Sequence, residues 1–187
     1  MRRYADLLSE ILDELESVLQ AVEERHVASL MERIMAAERL FLTGKGRSGL
    51  AMRAFAMRLM HLGLRSHFVG DVTTPGIAAN DLLLVGSGSG RTASVLEYAR
   101  QAQRLGAELA LITADPESPI AEQASLVLVI PAPTPKAGNS RPGRSIQPMG
   151  SLFEQALWLL CDVLVLDLME RIPVSAEEMF SRHANLE

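Results

Sequence analysis

Along this chain the spacing of apolar positions changes several times, and each change marks an element. Leu7, Leu8, Ile11, Leu15, Val18 and Leu19 recur at helical spacing with acids between them, and Val27, Leu30, Met31 and Ile34 repeat the pattern. They predict helices over 2–20 and 23–38. Both precede the first strand, so they either cover an end of the core or clasp a neighbouring subunit. The pattern then shortens to apolar runs at 40–43, 66–69, 82–85, 108–113 and 125–130. These are too short for helices and read as buried parallel strands. A helix over 48–61 is closed by Gly63, with Leu50, Ala54, Met57 and Met60 expected inward and Arg53 and Arg58 outward. Pro75 opens a turn and a short helix. Another helix over 92–105 ends at Gly106, and a turn at 115–119 leads through a short helix to the last strand. A long final helix over 149–171 stops before Pro173, leaving a short polar tail.

Strand and helix alternate, which is the βαβ pattern of an α/β fold with right-handed crossovers on both faces of the sheet. The length of 187 residues suits one domain. Its parts are the helical segment 1–38, the βαβ core 39–130, an interval 131–149 and the C-terminal helix and tail 150–187. The interval carries Pro131, Pro133, Pro135, Pro142 and Pro148 and has no core pattern. Such loops in compact domains are disordered or functional. This one falls at the carboxyl ends of the strands, where open α/β sheets bind ligands.

Two strand-to-helix junctions share one device. The first is Gly44-Lys45-Gly46-Arg47-Ser48-Gly49, and the second is Gly86-Ser87-Gly88-Ser89-Gly90-Arg91-Thr92. A glycine-rich loop at a helix N-terminus exposes unpaired backbone N–H groups to an anion, and the helix dipole favours negative charge there. The hydroxyls of Ser48, Ser87, Ser89 and Thr92 add donors. Phosphate is the anion these features suit, on an elongated ligand or in a site assembled from both loops.

Charge sharpens that picture. The formal net charge is -5, which argues against nucleic acid as the main partner. Acids concentrate in residues 1–38, whereas Lys45, Arg47, Arg53, Arg58 and Arg65 cluster around the first loop. That asymmetry fits a small anion focused into one cleft. The single cysteine, Cys161, excludes a disulfide framework within the chain and cysteine-rich zinc patterns, and its apolar neighbours make it a core residue. No apolar run reaches membrane-spanning length and no signal core follows the N-terminus, so a reducing, cytoplasmic setting is expected.

Gly44, Gly46 and Gly49 also satisfy Gly-x-Gly-x-x-Gly, with Asp71 downstream as the acid of a nicotinamide-dinucleotide site. Asp71 lies beyond Gly70 rather than at a strand end, no separate substrate domain follows, and the second loop would have no role. No P-loop spacing is present. His26, His61, His67 and His183 are scattered without ligand spacing. The expectation is therefore chemistry without metal or cofactor. A phosphate grip then needs an acid–base pair acting on a carbonyl compound. Glu154 is one candidate, although Ser151-Leu152-Phe153-Glu154 also matches a capping box. His61 is equally natural as a helix C-terminal or core histidine, and His183 as part of a frayed tail.

Together these residues resemble the sugar isomerase (SIS) domain family, and within it the 6-phospho-3-hexuloisomerases, over nearly the whole chain. The resemblance rests on the two loops, Gly70-Asp71-Val72-Thr73-Thr74-Pro75, Asn80-Asp81, Gln147-Pro148-Met149-Gly150-Ser151-Leu152-Phe153-Glu154 and the ending Arg182-His183-Ala184-Asn185-Leu186-Glu187. It implies a three-layer αβα sandwich with a five-stranded parallel, flavodoxin-like sheet, and a homo-oligomer, commonly a tetramer, with active sites near subunit boundaries. It also implies interconversion of D-arabino-hex-3-ulose 6-phosphate and fructose 6-phosphate, in the ribulose monophosphate route of formaldehyde fixation. By that likeness Glu154 is the catalytic carboxylate, and Ser48, Ser87, Ser89 and Thr92 hold phosphate, with Gly46, Gly88 and Gly90 allowing a close wrap. Arg47 binds sugar hydroxyls or phosphate or forms a salt bridge; His61 and His183 serve ring opening or protonate the enediolate oxygen. The rivals are a sister sugar-phosphate isomerase and a non-catalytic SIS module that senses a sugar phosphate.

Overall fold

The computed structural model describes residues 2–134 and 144–186. Its elements run α1 (Tyr4–Gln20), α2 (Glu24–Ala36), β1 (Leu40–Thr43), α3 (Gly46–His61), β2 (Ser66–Phe68), β3 (Leu82–Gly86), α4 (Ala93–Arg104), β4 (Glu108–Thr113), a 3₁₀ turn (Ala121–Gln123), β5 (Leu126–Val129), α5 (Ser151–Arg171) and α6 (Ala176–Ser181). The five strands form one sheet of order β2-β1-β3-β4-β5, parallel throughout. The chain leaves β1 toward one edge and returns to β3 on the other side of β1. The strand order therefore reverses between β1 and β3, the point at which open α/β sheets form a ligand crevice.

Side chains of a strand alternate between faces, and here both faces are buried. Leu40, Leu42, Leu82, Leu84, Ile112 and Leu128 point to one side, against Met52, Phe55 and Leu59 of α3 and Phe153, Leu157 and Leu160 of α5. Phe41, Leu83, Val85, Leu109 and Leu111 point to the other, where α4 supplies Val95, Ala99 and Ala102. The result is the expected αβα sandwich. The N-terminal helices cover part of the core: Leu30, Met31 and Ile34 of α2 are fully buried, and α1 packs on α5. No helix among the described residues is long and apolar enough to cross a membrane.

Three expectations need correction. The inward face of α3 is Ala51, Met52, Phe55, Ala56 and Leu59, while Leu50, Met57 and Met60 are 60%, 45% and 40% exposed and Ala54 is half-buried. The helix is apolar on two stripes, and the period alone could not say which meets the sheet. The stretch after Pro75 is irregular as far as a turn at 79–80, and no helix forms there. The polar tail contains α6, started by a capping box in which the Ser175 hydroxyl accepts from the Glu178 amide and the Glu178 carboxylate accepts from the Ser175 amide. Of the interval 131–149, only 131–134 and 144–149 lie within the described residues.

Candidate active site

The two glycine loops leave adjacent strands, since β1 and β3 pair in register from Leu40↔Leu82 to Thr43↔Val85. They consequently meet at one end of the sheet. Backbone approaches backbone closely there: a Cβ on Gly44 would come within 2.8 Å of the Gly86 carbonyl, so only glycine lets the first loop lie against the second. A cleft of about 280 Å³ opens between them, lined on one side by Lys45, Ser48, Ser87, Gly88, Ser89 and Thr92. The opposite wall comes from Thr134 and from the start of α5, with Met149, Gly150, Phe153 and Glu154.

The second loop is fastened to the end of β4. The Ser87 amide donates to the Ile112 carbonyl, and the Gly88 carbonyl accepts from the Ala114 amide and the Thr113 hydroxyl. Gly90, at φ 56°, leaves no space for a side chain beside Ser118. Arg91 pairs through its Nε and terminal nitrogen with the Oδ2 of Asp115, whose side chain is wholly buried. The other carboxylate oxygen accepts from the Glu117 amide. Within the loop, Ser87 Oγ accepts from the Gly90 amide and Ser89 Oγ from the Arg91 amide. As each hydroxyl accepts, its own hydrogen stays available to donate to an anion in the cleft.

Glu154 sits in the first turn of α5, with its side chain 22% exposed at the cleft wall. The capping box read from Ser151 to Glu154 does not form. The N-cap is Gly150 and makes no side-chain bond. The carboxylate instead takes Arg47 as partner, Oε2 lying 2.7 Å from its Nε. This salt bridge holds the direction of the carboxylate. Asp71 is engaged elsewhere, 2.7 Å from Arg53, whose guanidinium lies 3.9 Å from the Phe68 ring centroid.

His61 and His183 are brought to each other but not to this cleft. Their rings stack with centroids 5.4 Å apart, and Phe180 extends the stack. Arg182 donates to the His61 carbonyl at 2.7 Å and closes the tail onto the end of α3. Ser48 lies in the first turn of α3 and His61 at its last residue, about 20 Å apart along a helix rising 1.5 Å per residue. Burial, then the charges of Arg58 and His183, lower the pKa of His61 and favour its neutral form. Arg58 can only donate, so its 3.4 Å contact makes Nδ1 the acceptor and leaves the proton on Nε2. Cys161 is buried and its thiol pKa is pushed far up by that burial, as suits a core residue.

Six cleft residues were not singled out from sequence as site residues: Lys45, Gly86, Thr134, Met149, Gly150 and Phe153. Lys45 stands between two glycines of the first loop and Phe153 beside Glu154, so proximity to those motifs was an available signal. Met149 and Gly150 lie in the stretch before α5 that carries the family resemblance, whereas Thr134 had only the interval's place at the carboxyl ends of the strands to mark it.

Residues 33–159 match the SIS domain family, and the chain belongs to it. Within that family its full-length likeness is to 3-hexulose-6-phosphate isomerases. It is 42% identical over 182 residues to that of Bacillus subtilis (strain 168), covering 97% of this chain and 98% of the relative. With the Mycobacterium gastri enzyme of the same name the identity is 45% over 180 residues, covering 96% and 89%. A solved structure from Methanococcus jannaschii superposes with a TM-score of 0.85 at 33% identity, covering 97% and 99% of the two chains. It is described as a hypothetical protein whose structure infers a molecular function of 3-hexulose-6-phosphate isomerase.

Proposed function

We propose that this sugar-phosphate isomerase interconverts D-arabino-hex-3-ulose 6-phosphate and D-fructose 6-phosphate through a 2,3-enediol, by acid–base catalysis without a metal. The observation that carries the reading is the cleft itself, which faces an oriented carboxylate with two hydroxyl- and amide-lined loops. The 3-keto and 2-keto sugars differ by a hydrogen moved between C2 and C3. Glu154 removes the C2 proton of the 3-keto form, giving the enediol. The proton returns to C3 as the carbonyl forms at C2. The base must be fixed within about 3 Å of its proton, and Arg47 provides the fixing. Phosphate on Ser48, Ser87, Ser89 and Thr92 supplies remote binding that positions the reacting carbons.

The histidine pair enters this scheme through assembly. With His61 and His183 a helix length from their own cleft, His183 acts at the cleft of a second copy, protonating the enediolate oxygen or assisting ring opening, with His61 behind it. The outward stripe of α3, Leu50, Met57 and Met60, and the exposed Trp158, Leu159, Val163 and Leu166 of α5 offer apolar area for such contacts. A homo-oligomer, and a tetramer by likeness to the family, is the assembly we assign.

The test is a coupled assay with enzymatically generated hex-3-ulose 6-phosphate, following fructose 6-phosphate in EDTA. Rapid production that disappears in Glu154→Gln is expected. Full activity in Glu154→Gln would remove its role as base. Saturable fructose 6-phosphate binding without turnover would favour a sensor or a sister isomerase.

A further inference from the structure

We propose that Lys45 is the cation of the phosphate subsite and that Tyr98 is its positioning residue. The inference rests on the sugar-phosphate reading of the cleft and adds a residue to it. Serine hydroxyls and backbone amides are neutral donors, whereas a phosphate monoester brings about -1.5 to -2 charges near neutral pH. Two arginines adjoin the loops, but each is engaged by a carboxylate: Arg47 by Glu154 and Arg91 by Asp115. Among the described residues, Lys45 is the basic side chain that lines the cleft, and no carboxylate lies within ion-pair distance of it.

Its placement is built rather than incidental. Lys45 is the N-cap residue of α3, in extended conformation at φ -127°, and makes no capping bond of its own. Gly44 before it is held against the Gly86 carbonyl, and Gly46 after it takes φ 58°. The backbone on both sides is therefore determined, and the lysine stem leaves it in a set direction. The ammonium rests 5.5 Å from the centroid of the Tyr98 ring on α4. An aromatic face holds a cation without neutralising it, so the charge stays available to a ligand. A lysine there also suits a phosphate as a mobile point charge, in contrast to the two forked arginines already paired.

The experiment measures binding of fructose 6-phosphate, fructose and inorganic phosphate to the wild type and to Lys45→Met, Lys45→Arg and Tyr98→Leu, by calorimetry at several salt concentrations. Thermal unfolding confirms that each variant is folded. Lys45→Met should weaken fructose 6-phosphate and inorganic phosphate in parallel, roughly 10- to 100-fold, and flatten the salt dependence. Lys45→Arg should restore most of the affinity. Tyr98→Leu should cost roughly 2- to 5-fold. A wild type that binds fructose 6-phosphate, with a folded Lys45→Met of equal affinity and salt dependence, overturns the assignment and leaves the sugar-phosphate reading standing. A wild type that binds no sugar phosphate overturns both.

Discussion

The two glycine loops look like copies in sequence, yet the structure uses them differently. The first passes directly into α3, and its polar side chains, Lys45, Arg47 and Ser48, reach outward to the cleft, to Tyr98 and to Glu154. The second turns inward first: its carbonyls, hydroxyls and Arg91 are bound to β4, to Asp115 and to one another before any ligand arrives. One loop supplies adjustable charge, and the other a preset cradle of donors. The function we propose, in which phosphate is held while a base moves a proton nearby, draws on both.

This division can be broken from either side. The largest effect is expected at the wall facing the first loop. Glu154→Gln should lower kcat by about 10²- to 10⁴-fold while fructose 6-phosphate still binds. Arg47→Met should lower kcat less, because the carboxylate remains but loses its direction; steady-state kinetics beside direct binding separates the two. In the second loop, Arg91→Met leaves the buried Asp115 carboxylate with the Glu117 amide alone. It should cost about 1–3 kcal/mol of stability by urea unfolding, with weaker sugar-phosphate binding as the cradle loosens. Ser87→Ala with Ser89→Ala removes donors and their turn bonds together and should raise the fructose 6-phosphate Kd roughly 10-fold. Unchanged affinity would move phosphate away from this loop.

The smallest effect concerns the approach to α5. Glu14 of α1 accepts from Ser145 Oγ, the Ile146 amide and Gln147 Nε2, tying down the segment that leads to Met149 and Glu154. Burial opposes its ionisation, but these hydrogen bonds prevail and lower its pKa. The fold therefore prefers the carboxylate. The stability this gives is complete above the ordinary glutamate pKa and is lost as pH falls through the lower folded value. A Glu14→Gln protein should be less stable than wild type at neutral pH, and the gap should close in acid. A gap that persists in acid would show that charge is not what holds the segment.

Much of this was legible in order along the chain. The five strands, the helices between them and the two glycine loops came from short apolar runs, glycines and helical spacing, all of which act over a few residues. α6 was also present in local signals, since Ser175 and Glu178 stand at capping-box spacing, but the polar tail obscured it. The box at Ser151 had the same spacing and did not form. Its glutamate found a guanidinium more than a hundred positions away, and a charge-assisted pair outweighs a cap that solvent or a glycine can replace. The site residues divide in the same way. Ser48, Ser87, Ser89, Thr92 and Glu154 line one cleft, whereas the separation of His61 and His183 from it follows from the length of α3.

By itself, then, the sequence determined the order of strands and main helices, the parallel sheet and the place of its two glycine loops, because each depends on local period and local backbone freedom. Tertiary structure alone decided which stripe of α3 meets the sheet, since Leu50, Met57 and Met60 are as apolar as Met52, Phe55 and Leu59. It also decided the partners of Glu154, Asp115, Lys45 and Glu14. Those are contacts between distant segments, and which of several suitable groups becomes the neighbour is settled only when helices and strands pack.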